Sequence, residues 1–166
     1  MTPPMRALPF PAATLTGRGV GLCTDVIVRA LRDAEGIDLQ LAVNRDMQAA
    51  FAAYPRTWGL TGPDRNIDQR HVGNIATLLP RSGARLHASS FPQDFHPGDI
   101  VATALPGSLL HIALVTDRTG PAGAPMILHN IGGGAREEHR LFAFPDTGHF
   151  RLDDAARARL SRPSRS

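Results

Sequence analysis

The pattern of apolar residues changes near Gly83. Before it, apolar side chains recur at helical spacing, which predicts a helix that Cys23 opens and Gly36 closes. Further helices are predicted from about Arg45 to Ala53 and from roughly Asp68 to Leu79. After Gly83, short strand-like runs alternate with Pro and Gly, which predicts an antiparallel meander. The five runs are Asp99 to Leu105, Leu110 to Thr116, Met126 to Ile131, His139 to Phe144 and Gly148 to Leu152.

Helices followed by strands indicate an α+β fold, in which N-terminal helices pack on one side of a five- to six-stranded antiparallel sheet. A chain of 166 residues is the size of one domain, which we place at residues 17–152. Residues 1–16 contain four prolines and predict an extended leader. Residues 153–166, with the basic run Arg157 to Arg165, predict a flexible basic tail.

Composition excludes several classes of protein. All 18 basic residues are arginine, the net charge is only +3 and the arginines are scattered, so we expect no nucleic-acid partner. No apolar stretch approaches the ~20 residues that cross a bilayer, so we expect no membrane insertion. The opening Met1 to Pro11 has prolines where a signal peptide needs an uninterrupted apolar run, so the chain as given is expected to carry no export signal.

The single cysteine, Cys23, excludes an internal disulfide and an all-thiolate zinc site. Its place at a helix N-terminus is expected to lower its thiol pKa from about 8.5 into the ~3.5–7.5 range and to make it nucleophilic. Asp25 in the same turn would oppose the thiolate, so we expect it to cap the helix or orient a neighbour. The alternative is that Cys23 is a small buried hydrophobic residue.

A nucleophilic cysteine needs a base, and His111 is the candidate. It opens the run His-Ile-Ala-Leu-Val, where a rigid strand would fix the imidazole; the alternative is a structural histidine. His129 and Asn130 end another predicted strand, and either would orient His111 by accepting a hydrogen bond from it. Strand alternation puts the two on opposite faces, so only one of them can serve.

Three residues are candidate substrate contacts. Besides Asp25, these are Trp58, which is either a core anchor or part of a substrate rim, and Gly132. Gly132 opens a glycine run that follows a strand without a Lys-Ser/Thr motif, which favours a hairpin or bulge over a phosphate loop. The 7 histidines lack metal-ligand spacing, so we expect no metal and no cofactor.

The order of these motifs resembles the NlpC/p60 branch of the papain-like cysteine peptidases. More closely, the sequence is similar to the bacterial family labelled domain of unknown function 1287, from about Gly19 to Arg151. The segments that carry this similarity are Val20 to Ala30, Gly36 to Gln40, Asn66 to Asp68, Gly98 to Val101, His111 to Asp117 and His129 to Gly132.

In NlpC-type enzymes the third catalytic residue lies in an Ile-His-Ala-like strand. The resemblance therefore favours His129 as the orienting residue, with Asn130 as the alternative by analogy to papain. The tyrosine that many NlpC enzymes carry roughly a dozen residues before the cysteine is missing here.

The resemblance implies a papain-like NlpC/p60 fold and a cysteine hydrolase that cleaves amide bonds of peptidoglycan stem peptides. A protease or acyltransferase acting on proteins, and a non-catalytic domain that binds cell-wall peptides, are the alternatives. Its site of action would be the cell envelope or periplasm. Without a signal peptide, that site requires a dedicated secretion system or a chain shortened at its start. A secreted form would be an antibacterial effector, paired with an immunity protein; we expect a monomer.

Overall fold

The computed structural model describes residues 23–55, 61–64, 68–107 and 109–162. These residues form an α+β structure, which confirms the predicted fold class. The helices are α1 (Cys23–Glu35), α2 (Leu39–Ala50), α3 (Val72–Arg81) and α4 (Asp154–Leu160). The strands are β1 (Arg85–Leu86), β2 (Ile100–Leu105), β3 (Leu109–Thr119), β4 (Pro125–Asn130), β5 (Ala135–Glu138) and β6 (Asp146–Phe150). No helix in the described part of the chain is long and apolar enough to span a bilayer.

The strands form one six-stranded sheet in the order β1-β6-β2-β3-β4-β5. Strands β2 to β4 form an antiparallel meander, as the sequence predicts. Strand β5 extends it at residues where no strand is predicted, and β6 pairs with β2 instead of continuing the meander. Every pairing is antiparallel. The meander brings the starts of β3 and β5 and the end of β4 to one end of the sheet, because neighbouring strands run in opposite directions.

The sheet packs apolar residues on both faces. Along β3, Ile112 and Leu114 belong to the main core with the helices, whereas Ala113 and Val115 belong to a second cluster. Strand alternation produces this division. The rest of the second cluster is Phe95, Val101, Ile127 and Leu141. Because His111 has the same parity as Ala113, its side chain leaves β3 on the face of the second cluster.

The second and third helices begin at other residues than the sequence predicts. Helix α2 starts at Leu39, because Asp38 caps it by accepting the Leu41 N–H at 3.0 Å. Helix α3 starts at Val72, after a separate 3-10 turn. It also continues through Pro80 rather than ending before it. Because proline has no N–H, Pro80 makes no hydrogen bond to the carbonyl four residues before it, and the helix ends one residue later, at Arg81.

Two predictions for the C-terminal half are wrong. The predicted strand His139 to Phe144 is mostly turn, and β5 lies before it. The expected flexible tail instead starts with α4, which Asp153 caps through the Ala156 N–H at 2.7 Å. Ala156 and Leu160 are buried on one face of α4, so the segment has the apolar area that a docked helix needs. The leader at residues 1–16 and the end of the tail at residues 163–166 lie outside the described residues.

The docking of α4 is testable by truncating Leu160, which is 3 % exposed in the main core. We expect Leu160→Ala to lower the free energy of unfolding by about 2–5 kcal/mol, because it removes buried methyl groups and leaves a cavity. Arg159→Ala, which truncates an exposed side chain of the same helix, is the matched control and is expected to change little. Urea unfolding followed by circular dichroism measures both variants. Equal stability of the two would contradict the docking.

Candidate active site

Cys23 is the first residue of α1, and its thiol lies against strand β3. The backbone N–H groups of Ile112, Thr24 and Cys23 itself lie close enough to the sulfur to lower the pKa of the thiol. The side chain is partly exposed and packs at the edge of the main core. The sulfur is thus held beside the residue that directly follows His111 while remaining open to solvent on one side.

The register of β3 explains why the Ile112 N–H is available. Val115 donates its N–H to Asp99 at 2.8 Å, on the β2 side, so residues of even number on β3 direct their N–H groups toward β4. The β3–β4 pairing begins at Leu114 and Leu128. Ile112 lies beyond that pairing, so its N–H points past the paired part of β4 and lies near the Cys23 sulfur.

The folded environment raises the pKa of the Cys23 thiol. Burial is the main cause; the N–H groups of Ile112 and Thr24 act in the opposite direction, and the negative charge of Asp25 raises the pKa further. The N–H groups at the helix N-terminus do lower this pKa, but the net shift is upward, so the expected thiol pKa in the ~3.5–7.5 range is wrong. Burial and a neighbouring carboxylate outweigh the stabilisation by backbone N–H groups. The resting side chain is a neutral thiol.

Two histidines and a carboxylate form a continuous hydrogen-bonded chain across three strands. His111 Nε2 on β3 lies 2.9 Å from His129 Nδ1 on β4. His129 Nε2 lies 2.6 Å from Glu138 Oε2 on β5. Both imidazoles are buried, and their rings meet edge to face with centroids 5.1 Å apart. The meander thus places the base candidate, its orienting residue and an anchoring carboxylate in one line.

The direction of these hydrogen bonds follows from the carboxylate. The hydrogen bond from His129 lowers the pKa of Glu138, so the carboxylate stays ionised and accepts the Nε2–H of His129. In a neutral His129, Nδ1 then carries a lone pair and accepts the Nε2–H of His111. That leaves the lone pair of His111 on Nδ1. The chain fixes the tautomer in which His111 can accept a proton.

Burial, followed by the charge of His129, lowers the pKa of His111 from 6.5 to about 4. His111 is consequently neutral at neutral pH. The resting Cys23 is therefore a neutral thiol and the resting His111 a neutral imidazole. Among the described residues, neither a hydrogen bond nor a charge interaction joins the Cys23 sulfur to His111, whose contact is with His129.

The low pKa of His111 gives a prediction that needs no substrate. We expect its ring signals to titrate near pH 4 in an NMR titration of the imidazole resonances. In His129→Asn the titration should move upward because a positive neighbour is lost, yet stay below 6.5 because burial is the larger cause. A His111 that titrates at or above 6.5 in the wild-type chain would contradict this environment.

Strand alternation separates His129 from Asn130, as the sequence predicts. Of the two, His129 contacts His111, whereas the Asn130 side chain accepts the N–H of Gly132 at 2.8 Å. Gly132 is exposed with φ +105° in the turn between β4 and β5, so the hairpin interpretation of the glycine run is confirmed. Trp58 lies outside the described residues.

Glu138 is the site residue that the sequence reasoning missed. A hairpin that pairs Asn130 with Ala135 also pairs His129 with Arg136, and Glu138 lies two residues further on the same face. The sequence therefore contained the information that places Glu138 near His129, but using it required knowing which residues of β4 and β5 pair. The described residues contain no group of three His, Cys, Asp or Glu side chains that could hold a metal ion.

Comparison with known proteins gives a family and one curated relative. The model of the family described as Domain of unknown function (DUF1287) matches residues 2–152. The chain is 44% identical over 131 residues to the "Uncharacterized protein YijF" of Escherichia coli (strain K12), an alignment that covers 79% of this chain. It spans only 63% of the relative's length. No solved structure matches the chain. Since the family model covers nearly all of the sequence, the chain belongs to the DUF1287 family.

Proposed function

We propose that this protein is a papain-like cysteine hydrolase of the NlpC/p60 type that cleaves amide bonds, with peptidoglycan stem peptides as its substrate. The observation that supports the proposal is the hydrogen-bonded chain His111–His129–Glu138, together with the position of the Cys23 sulfur near the N–H of Ile112, the residue after His111. A nucleophile, a base in the required tautomer and an orienting pair are the parts of a triad-type site.

In the proposed mechanism, Cys23 attacks the scissile carbonyl while His111 takes the thiol proton. His129 holds the imidazole, and Glu138 stabilises the positive charge that develops on the histidine pair. Backbone N–H groups near Cys23 stabilise the oxyanion. His111 then gives its proton to the leaving amine and a thioester remains. Water attacks the thioester with His111 again as base, and the thiol is released with the carboxylic acid product.

The choice of peptidoglycan rests on the resemblance to NlpC/p60 enzymes. It sets the site of action in the cell envelope or periplasm and is compatible with an antibacterial role and an inhibiting immunity protein.

A protein-directed protease or acyltransferase is favoured by a different observation. A mainly apolar cavity of about 500 Å³ lies on the same sheet face as His111 and is lined by Thr103, its cross-strand partner, and by Phe142 and Phe144. Such a cavity would suit a bulky side chain.

A non-catalytic domain that only binds cell-wall peptides is favoured by the raised thiol pKa, because a neutral thiol is a weak nucleophile. In the proposed enzyme, His111 compensates by removing the proton during attack. The thiol pKa is compatible with both the hydrolase and the binding domain. The two are distinguished by whether reaction products form.

Mass spectrometry of reaction products tests the proposal. The purified protein is incubated with sacculi and, separately, with a library of unstructured peptides, and Cys23→Ala serves as the matched control. We expect new stem-peptide fragments from sacculi with the wild-type chain and none with the variant. Cleavage confined to the peptide library would favour the protein-directed enzyme. If neither substrate gives a Cys23-dependent product, the proposal of a hydrolase is rejected and the non-catalytic peptide-binding domain is favoured.

A further inference from the structure

A second polar site lies next to the histidine chain. A cavity of about 280 Å³, here called the basic cleft, opens between the β4–β5 turn and the end of β5. Its walls include His129 and Glu138, two arginines and the glycine turn. The arginines are Arg136 and Arg140. Since His129 bonds His111 through one ring nitrogen and Glu138 through the other, the cleft lies on the far side of His129 from His111.

The basic cleft has an excess of positive charge. Glu138 already accepts a hydrogen bond from His129 at 2.6 Å, and the Arg140 Nε lies at a looser 3.7 Å from the same carboxylate. Arg136 is exposed and forms no salt bridge within the part of the chain that the structure describes. Two guanidinium groups thus face one carboxylate that is shared with a histidine. One positive charge is left without a counter-ion.

The glycine turn gives a ligand access to the backbone. Gly133 carries no side chain, and a Cβ there would lie 3.6 Å from the Arg136 Nη2, so the guanidinium lies close over the turn. Among the described residues, no backbone acceptor pairs with the N–H of Gly133 or Gly134. A guanidinium beside unpaired N–H groups is the arrangement that binds the oxygens of an anion.

We propose that the basic cleft binds a carboxylate of the peptide substrate, at a position removed from the scissile bond. This inference rests on the proposed function, because it takes the histidine chain as the catalytic end of the same groove. A carboxylate fits better than a phosphate, since a single negative charge matches the excess of one and Glu138 would repel a doubly charged group. Arg136 donates to the carboxylate and Arg140 supplies the second cationic contact.

Binding in the Cys23→Ala chain tests the proposal without any turnover. The probes are the stem tripeptide L-Ala-γ-D-Glu-diaminopimelate and the same peptide with every carboxyl group amidated, both followed by isothermal titration calorimetry. We expect the acid form to bind at least about tenfold more tightly than the amidated form. In Arg136→Gln/Arg140→Gln the acid form should weaken by about tenfold and lose its advantage.

Arg118→Gln is the matched control. Its side chain is 73% exposed and pairs with Glu137 rather than with Glu138, so the preference for the acid form should persist. Four results overturn the inference. They are failure of both peptides to bind, equal binding of the two peptides, an acid preference that survives loss of both cleft arginines, and displacement of the bound acid peptide by an equal concentration of inorganic phosphate.

The outcome is separable from that of the proposed function. Cys23-dependent products from sacculi, together with equal binding of the two peptides, would reject the carboxylate site alone. Arginine-dependent binding of the acid form, without any Cys23-dependent product, would retain the carboxylate site and reject the hydrolase. Failure of both peptides to bind rejects the carboxylate site.

Discussion

Cys23→Ala, His111→Ala and the double variant are expected to lower the rate of amide hydrolysis to the same residual level, at least about 10³-fold below the wild-type rate. The reason is that neither group acts alone. Burial raises the pKa of the Cys23 thiol, so the sulfur needs a base to become a nucleophile. A base without the sulfur has no proton to take. The two losses are therefore not additive.

Hydrolysis of a stem peptide at saturating and sub-saturating concentrations measures these rates. His87→Ala replaces an exposed histidine outside the histidine chain and is the matched control, with a rate expected within about twofold of the wild type. A His111→Ala chain that retains a tenth or more of the activity would contradict the assignment of the base. So would a double variant whose loss equals the product of the single losses, because that result indicates independent roles.

The parts of the site that the sequence could predict are those fixed by local periodicity. A cysteine that opens an amphipathic helix and a histidine at the start of an apolar strand are visible as patterns of 3.6 and 2 residues. The same period of 2 predicts that His129 and Asn130 lie on opposite faces, and the structure places only His129 against His111. Periodicity alone did not decide whether His129 or Asn130 orients His111. The resemblance to NlpC/p60 enzymes favoured His129.

The parts that the sequence reasoning missed depend on contacts between distant segments. The role of Glu138 follows from the register of β4 and β5, which the loop length fixes only once both ends of the hairpin are known. The thiol pKa depends on how deeply tertiary packing buries Cys23, and local reasoning about the helix N-terminus omits that contribution. The sequence did not predict helix α4, because its two buried residues, Ala156 and Leu160, are separated by arginines and form only a short apolar pattern. Asp153 was the one local indication of a helix start.

Asp99→Ala is expected to destabilise the fold by about 3–5 kcal/mol, the cost of removing one partner from a buried ion pair. The Asp99 side chain is fully buried. It accepts from His149 Nε2 at 2.6 Å, from two nitrogens of Arg151 at 2.8 Å each and from the N–H of His96 at 3.0 Å. Without the carboxylate, the guanidinium and the imidazole lose their acceptor. The junction of β2 and β6 would lose its main polar contact.

Guanidinium chloride unfolding at pH 7 measures this effect. Asp117→Ala, which removes an exposed carboxylate of β3, is the matched control and should change the free energy of unfolding by less than about 0.5 kcal/mol. Asp99→Asn should be intermediate, because the amide keeps the shape but offers one acceptor oxygen in place of two. A loss in Asp99→Ala no larger than that of Asp117→Ala would contradict a structural role for the cluster.

The pH dependence of the Asp99 contribution provides an independent measurement. Burial alone would raise the pKa of Asp99, but the hydrogen bonds from His149 and Arg151 outweigh it and hold the pKa below its ordinary value of 3.8. The unfolded chain therefore binds the proton more readily, and protonation favours unfolding. The stabilisation is complete above about pH 4 and is lost as the pH falls through the folded-state pKa. We expect the stability difference between the wild type and Asp99→Asn to shrink in that range, whereas a constant difference from pH 7 to pH 2 would show that Asp99 does not titrate with unfolding.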